Sequence, residues 1–208
     1  MPRLMDIGME RLNSLMLEMA NLSENTVAAA IDAYQKGRKS KQVDEWASQL
    51  RSLHKQVSDL CLELLARYQP VASDLRFIKA CLEISYGFFR YGRYAHDIVE
   101  VLDVFGDLSK CDHSQVNITA RKTQQMISMS VDAFTRRDVE LAKQIPAMDD
   151  TIDDNYRRNL MHVLEGGGEL KCSLSATLIL RYLERIADHA TYIAESIVYI
   201  SSGVESTP

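Results

Sequence analysis

The segment Leu183-Glu184-Arg185-Ile186-Ala187-Asp188-His189-Ala190 carries two carboxylates four residues apart. On an α-helix that spacing puts Glu184 and Asp188 on one face. Asp149 and Asp153, inside the acidic run Asp149, Asp150, Asp153 and Asp154, repeat the spacing. If the two segments form neighbouring helices, two carboxylate pairs converge. Crowded carboxylates repel one another unless protonated, solvated or bridged by a cation. The chemistry open to such a group is cation binding, because oxygen-rich clusters suit hard cations or iron, as in carboxylate-rich helical bundles. A plainer reading competes. Arg157 and Arg158 follow Asp153 and Asp154 by four residues, and Arg181 and Arg185 precede Glu184 and Asp188 by three. Each acid is then half of an exposed helix pair worth about 0.3–0.5 kcal/mol, and spacing alone favours that solvated face. His189 can be a ligand, a satisfied helix-side ring or an exposed side chain; exposure is the expectation.

Other catalytic chemistry finds little support. The five histidines are scattered, and no nucleophile–base constellation emerges. Gly166-Gly167-Gly168 is followed by no P-loop Lys-Ser/Thr and reads as a linker. A carboxylate-bridged di-metal oxidase or hydrolase would want Glu-x-x-His, but the residue three after Glu184 is Ala187. A non-enzymatic protein is expected. Cys61, Cys81, Cys111 and Cys172 are widely spaced, with no C-x-x-C pair. They read as four free thiols in a reducing cytosol. The balance of 24 basic against 29 acidic residues gives a net charge of −5, which argues against non-specific nucleic-acid binding. No stretch approaches the ~20 apolar residues of a membrane span, and Asp6 and Glu10 interrupt any apolar signal core at the start. Membrane contact is expected only through partners.

The elements that must position these acids are helical almost throughout. Apolar residues recur with helical period, and four prolines and nine glycines in 208 residues leave room for long helices. The pattern predicts a first helix over about residues 5–36, closed by Gly37, and a second capped by Ser40 and running to about Tyr68, before Pro70. A third starts near Pro70, with Asp74 in its first turns, and runs to about Phe105. After a connector over residues 106–114, a fourth spans about 115–137. Asp138 caps a fifth that runs to about Glu165 with a kink or break at Pro146, and Ser173 caps a sixth that ends near Ser201 before a frayed tail.

Three helices, a connector and three more helices suggest an internal repeat. An offset of 95 aligns the second and third helices of each half without gaps. Leu50, Leu53, Val57 and Leu65 fall on Ile145, Met148, Ile152 and Leu160; Arg90, Ala95, Ile98 and Glu100 fall on the identical residues Arg185, Ala190, Ile193 and Glu195. The apolar stripe Phe88, Tyr91, Ala95, Ile98, Val99, Leu102 matches Leu183, Ile186, Ala190, Ile193, Ala194, Ile197 position by position, a core-facing seam. The expectation is an all-α chain of two tandem three-helix bundles, over residues 1–106 and 107–208. The same offset carries Asp149, Asp153, Glu184 and Asp188 onto His54, Ser58, Phe89 and Arg93. All four acids are replaced together, as expected of a site present in the second half and missing from the first.

At these residues the sequence resembles the PhoU phosphate-uptake regulator family. Residues 183–190, continuing through Ile193-Ala194-Glu195, look like that family's repeated E-x-x-x-D signature. Gln69-Pro70-Val71-Ala72-Ser73-Asp74-Leu75-Arg76 resembles its other well-marked stretch. The resemblance implies a cytoplasmic adaptor of phosphate signalling that negatively regulates uptake. It implies partnership with a phosphate ABC transporter and a sensor histidine kinase, a tendency to form a homodimer, and iron or zinc at the acidic motifs. Phe89 and Arg93 stand at the E and D positions of the first half, so one cluster is expected, at Glu184, Asp188, Asp149 and Asp153, open to iron, zinc or manganese. The alternative is an accessory protein of another anion permease with the same fold.

Overall fold

The computed structural model describes residues 4–38 and 40–204. Seven helices account for nearly all of them: α1 (Leu4–Lys36), α2 (Lys41–Tyr68), α3 (Ala72–Phe105), α4 (Ser114–Arg136), α5 (Val139–Ala142), α6 (Pro146–Leu164) and α7 (Leu170–Ser202). No strand occurs among the described residues, and no helix is long and apolar enough to cross a membrane.

Local chemistry sets the boundaries. Gly37 (φ +58°) ends α1 in the left-handed region that glycine adopts freely. The residue before a proline is disfavoured in the helical region, and α2 stops at Tyr68, two residues before Pro70. Asp138 caps α5 as expected, its Oδ1 accepting from Leu141 N at 3.0 Å. The predicted fifth helix is divided outright: α5 is a single turn, and Pro146, which has no N–H to give, sits at the start of α6. Ser40 occupies the N-cap of α2 but makes no capping bond. Ser173 is no cap. It lies inside α7, which begins three residues earlier behind Glu169, and its hydroxyl donates back to Gly167 O at 2.9 Å. Of the expected frayed tail, residues 205–208 lie outside the described residues.

Helices α1, α2 and α3 pack on one another, α4, α6 and α7 do likewise, and α3 against α7 joins the halves. The whole predicted seam is buried, Phe88, Tyr91, Ala95, Ile98, Val99 and Leu102 on α3 and Leu183, Ile186, Ala190, Ile193, Ala194 and Ile197 on α7. The core therefore runs without interruption through both halves. The paired Leu50 and Ile145, and Val57 and Ile152, are all fully buried, whereas Leu160 departs from its partner Leu65 and is exposed.

The cysteine expectation is corrected. Cys111, in the connector, and Cys172, in the first turn of α7, form a disulfide, with Cα atoms 5.4 Å apart. Only Cys61 and Cys81 are free, and both are buried. The partners lie 61 residues apart, so their pairing follows from the docking of the connector on α7, which leaves no mark in local spacing. The inference from four thiols to a reducing compartment loses its footing.

Candidate carboxylate site

The break at Pro146 positions the acids. It sets Asp149 in the first turn of α6, where the helix dipole favours negative charge, and Asp153 follows one turn later on the same face. α6 packs along α7, which brings in Glu184 and Asp188. Asp149, Asp153 and Asp188 each present an oxygen, and the three lie within 4.8 Å of one another. Glu184 stands outside that trio but borders it, and only 8% of its surface is exposed.

Arginines answer part of this charge. Arg181 donates to Glu184 Oε1, and Arg185 Nε lies 3.8 Å from Glu184 Oε2. Arg185 also reaches Asp188 at 3.4 Å, and Arg157 reaches Asp153 at 3.4 Å. The exposed-pair reading is thus correct about Arg157, Arg181 and Arg185. Arg158 instead donates to the Asp154 backbone carbonyl at 3.2 Å and to Asn155 Oδ1 at 2.9 Å, not to the Asp154 carboxylate. The reading is wrong about the setting of the four acids. All four acids are at least partly buried, and Asp149 Oδ1, Asp153 Oδ1 and Glu184 Oε2 are buried with no hydrogen-bond partner. Burial, then the charges of Asp188, Asp153 and Glu184, push Asp149 up to about 7. Glu184 and Asp188 are also raised, in each case first by burial. An all-oxygen donor set with three unsatisfied buried oxygens fits a cation.

His189 belongs elsewhere. It is half-buried, not exposed, and its ring packs against Tyr86 (5.8 Å), Tyr94 (6.0 Å) and Tyr192 (5.7 Å) on the α3 side of α7. Burial, then the nearby Arg90 and Arg185, lower its pKa to about 4, so it is neutral near pH 7 and is not one of the converging ligands.

The first half fills the equivalent space with rings. His54 and Phe89 stack at 5.5 Å with 9° between planes, at the positions that hold Asp149 and Glu184 in the second half. Arg93 spends its charge on Asp97 at 3.1 Å. One turn further along α3 is a group the sequence reading missed: His96, Asp97 and Glu100 each offer a ligand atom within 4.8 Å of the others. The i, i+4 spacing of His96 and Glu100 was the available signal. Both ring nitrogens of His96 are already engaged, by Asp44 at 2.8 Å and Glu100 at 3.3 Å, so this group is internally compensated.

Comparison with known proteins agrees with the duplicated architecture. The PhoU domain family matches twice, over residues 16–102 and 116–197, the two matches ending 95 residues apart. A phosphate-specific transport system accessory protein PhoU homolog from Pseudomonas aeruginosa is 29% identical over 205 residues, which cover 95% of this chain and 85% of that protein. A homolog of the same description from Methanothermobacter thermautotrophicus is 29% identical over 206 residues, 92% of each chain. The crystal structure of PhoU from Pseudomonas aeruginosa superposes with a TM-score of 0.88 at 29% identity, over 96% of this chain and 99% of that one. The regulatory protein PhoU of the phosphate transport system from Streptococcus pneumoniae shares the fold, with a TM-score of 0.77 at 20% identity over 98% of this chain and all of that one.

Proposed function

The chain belongs to the PhoU family, and from that membership we propose that it is a non-enzymatic accessory protein of phosphate uptake. In this reading it is an adaptor that links a phosphate ABC transporter to a sensor histidine kinase and negatively regulates uptake. The observation that carries the reading is the extent of the likeness: proteins named as transport-system accessories match along almost the whole chain. The adaptor works in the cytoplasm, as a homodimer, and meets the membrane through its partners. Its net charge of −5 suits protein docking better than nucleic-acid binding.

Asp149, Asp153, Glu184 and Asp188 are proposed to hold iron, zinc or manganese. The support is the set of buried oxygens with no hydrogen-bond partner and the lack of a histidine among the converging ligands, which favours manganese over zinc. The ion neutralises charge that Arg157, Arg181 and Arg185 answer only in part.

Two experiments test these statements separately. A clean gene deletion should alter the phosphate dependence of uptake or of kinase output, and a pull-down from native membranes in phosphate-rich and phosphate-poor medium should recover the transporter or the kinase. Unchanged phosphate responses in the deletion strain would overturn the adaptor role. Iron, zinc or manganese should raise the melting temperature of the wild type, by an amount equivalent to about 2.7 kcal/mol at a hundred times the dissociation constant. The double change Glu184→Gln, Asp188→Asn should abolish that rise, and Phe89→Ala, Arg93→Ala should keep it. No metal by elemental analysis and no melting response to any of the three ions would make the acids an uncoordinated face.

A further inference from the structure

Beside the contact of α3 with α7 lies a cleft of about 420 Å³ that the carboxylate site does not use. Tyr86 from α3 and Tyr192 from α7 form its walls and stay 46% and 58% exposed. The His189 ring meets both edge-on, at 5.8 and 5.7 Å, and so fixes their separation. Large aromatic side chains left open in this way have faces whose quadrupole is negative.

Two carboxylates reach the same cleft. Glu83 is partnered within it, by Lys79 Nζ at 3.4 Å and by the Ser196 hydroxyl, which donates at 3.1 Å. Glu195 is different. It is partly buried, and burial alone pushes its pKa up, yet it makes no ion pair or hydrogen bond among the described residues. A partly desolvated carboxylate with no partner, in the same cleft as the open face of Tyr192, is the complement of a positive charge.

The fold itself uses tyrosine faces for cations. The Arg90 guanidinium lies 4.5 Å from the centroid of Tyr94 and 5.9 Å from that of Tyr86, Arg181 lies 5.4 Å from that of Tyr156, and Lys79 Nζ lies 4.5 Å from that of Tyr199 at the rim of this cleft. Tyr192 holds no cation among the described residues. We propose that the cleft is a binding site for an organic cation, a guanidinium or alkylammonium head, with Glu195 supplying the counter-charge and Tyr192 the face. A guanidinium fits best, because its planar, weakly hydrated head stacks on a ring and still donates to a carboxylate. An anion is disfavoured, since Glu83 and Glu195 outnumber Lys79. The site goes beyond the phosphate-uptake reading and does not depend on it. The head can arrive on an arginine side chain of a partner protein or on a free amine.

The test is a calorimetric titration of the full chain with N-acetyl-argininamide and with its neutral citrulline counterpart. Saturable binding of the arginine probe is expected, at least tenfold tighter than the citrulline one. Glu195→Gln and Tyr192→Leu, both at accessible positions, should each weaken it about tenfold, with melting curves confirming that both variants fold. The exposed Glu63→Gln, on α2, should change nothing. Lys79→Met should tighten binding, because it removes the competing ammonium from Tyr199 and Glu83. Two further probes separate the sources: an end-blocked peptide with an internal arginine binding more tightly points to a partner's side chain, and agmatine binding more tightly points to a free amine. Equal binding of arginine and citrulline probes, unchanged affinity in Glu195→Gln, or weaker binding in Lys79→Met would each overturn the proposal.

Discussion

Asp149→Asn should stabilise the metal-free protein at alkaline pH, and the size of the effect follows from the site. The carboxyl has a pKa of about 7 in the fold against 3.8 as a free side chain. A group whose folded pKa is raised holds a proton that the unfolded chain releases. Its stability contribution is therefore fully present below about pH 4 and lost as pH rises through about 7. The ceiling on that loss is about 4 kcal/mol at 1.36 kcal/mol per decade. Water reaches part of the side chain, and the neighbouring acids share protons with it, so the ceiling is halved to about 2 kcal/mol. For a chain of this size that is a rise of about 4–8 °C in melting temperature. The assay is thermal melting with a chelator present, at pH 8 and pH 4.5, for wild type and variant. The variant should melt higher at pH 8, and most of the gap should close at pH 4.5, where the wild-type carboxyl is protonated in the fold. Adding manganese at pH 8 should raise the wild type and leave the variant nearly unmoved. A gap of the same size at both pH values would show that ionisation of Asp149 is not its source, and none at pH 8 that solvent and arginines already neutralise the acids.

Three further measurements probe the frame around the site. Cys172→Ala should destabilise by about 2–4 kcal/mol in urea unfolding, because the bond between Cys111 and Cys172 closes a 61-residue separation and restricts the unfolded chain; reductant should lower the wild type to the variant's level and leave the variant unaffected. Gly87→Ala should destabilise by about 1 kcal/mol despite alanine's better helix propensity, since the added Cβ would lie 2.7 Å from Ile193 Cγ1 and overpacking of about 1–3 kcal/mol exceeds a propensity gain of up to about 1 kcal/mol. Leu50→Ala should cost about 2–5 kcal/mol, as this side chain is fully buried and fills the space that Gly92 leaves.

The readings that succeeded from sequence rest on period and register, which many residues report at once. The seam from Phe88 to Leu102 and its copy from Leu183 to Ile197 are buried in full because a helix has one face toward its core and each apolar residue testifies to it. The acids were legible as pairs, by the same i, i+4 geometry. Their burial was not. Whether Asp149 meets solvent depends on how close α6 lies to α7, and Arg157 or Arg185 at helical spacing looks the same on an open face as at a half-buried one. The bond between Cys111 and Cys172 and the ring cluster around His189 were hidden for a related reason. Each joins segments distant in sequence, and His189 meets Tyr86 and Tyr94 only because α3 and α7 pack side by side. Ser173 failed as a cap through local competition: the glycine turn lets α7 start at Leu170, and the serine hydroxyl then bonds back to Gly167.

The difference between the halves shows where stability yields to another demand. At residues 54 and 89 a ring pair meets face to face, and burying aromatic surface stabilises the contact with no ion required. At residues 149 and 184, one repeat further on, the equivalent helix contact holds carboxylates whose ionisation opposes folding. A face that had merely drifted toward polarity would be solvated or fully paired. Arginines do reach Asp153, Glu184 and Asp188, yet three carboxylate oxygens stay buried without a hydrogen bond, and the Asp149 carboxyl is left to hold a proton near neutral pH. A ring pair can fill this contact, as the first half demonstrates, so packing alone does not call for acids there. Departures from local consistency of this kind gather at functional positions. The helix that bears Glu184 and Asp188 also carries the seam from Leu183 to Ile197, and the core on that seam runs unbroken into the first half. Charge compensation at the acids therefore stabilises a helix on which both halves are built, and a melting transition of the whole chain is the proper place to see it.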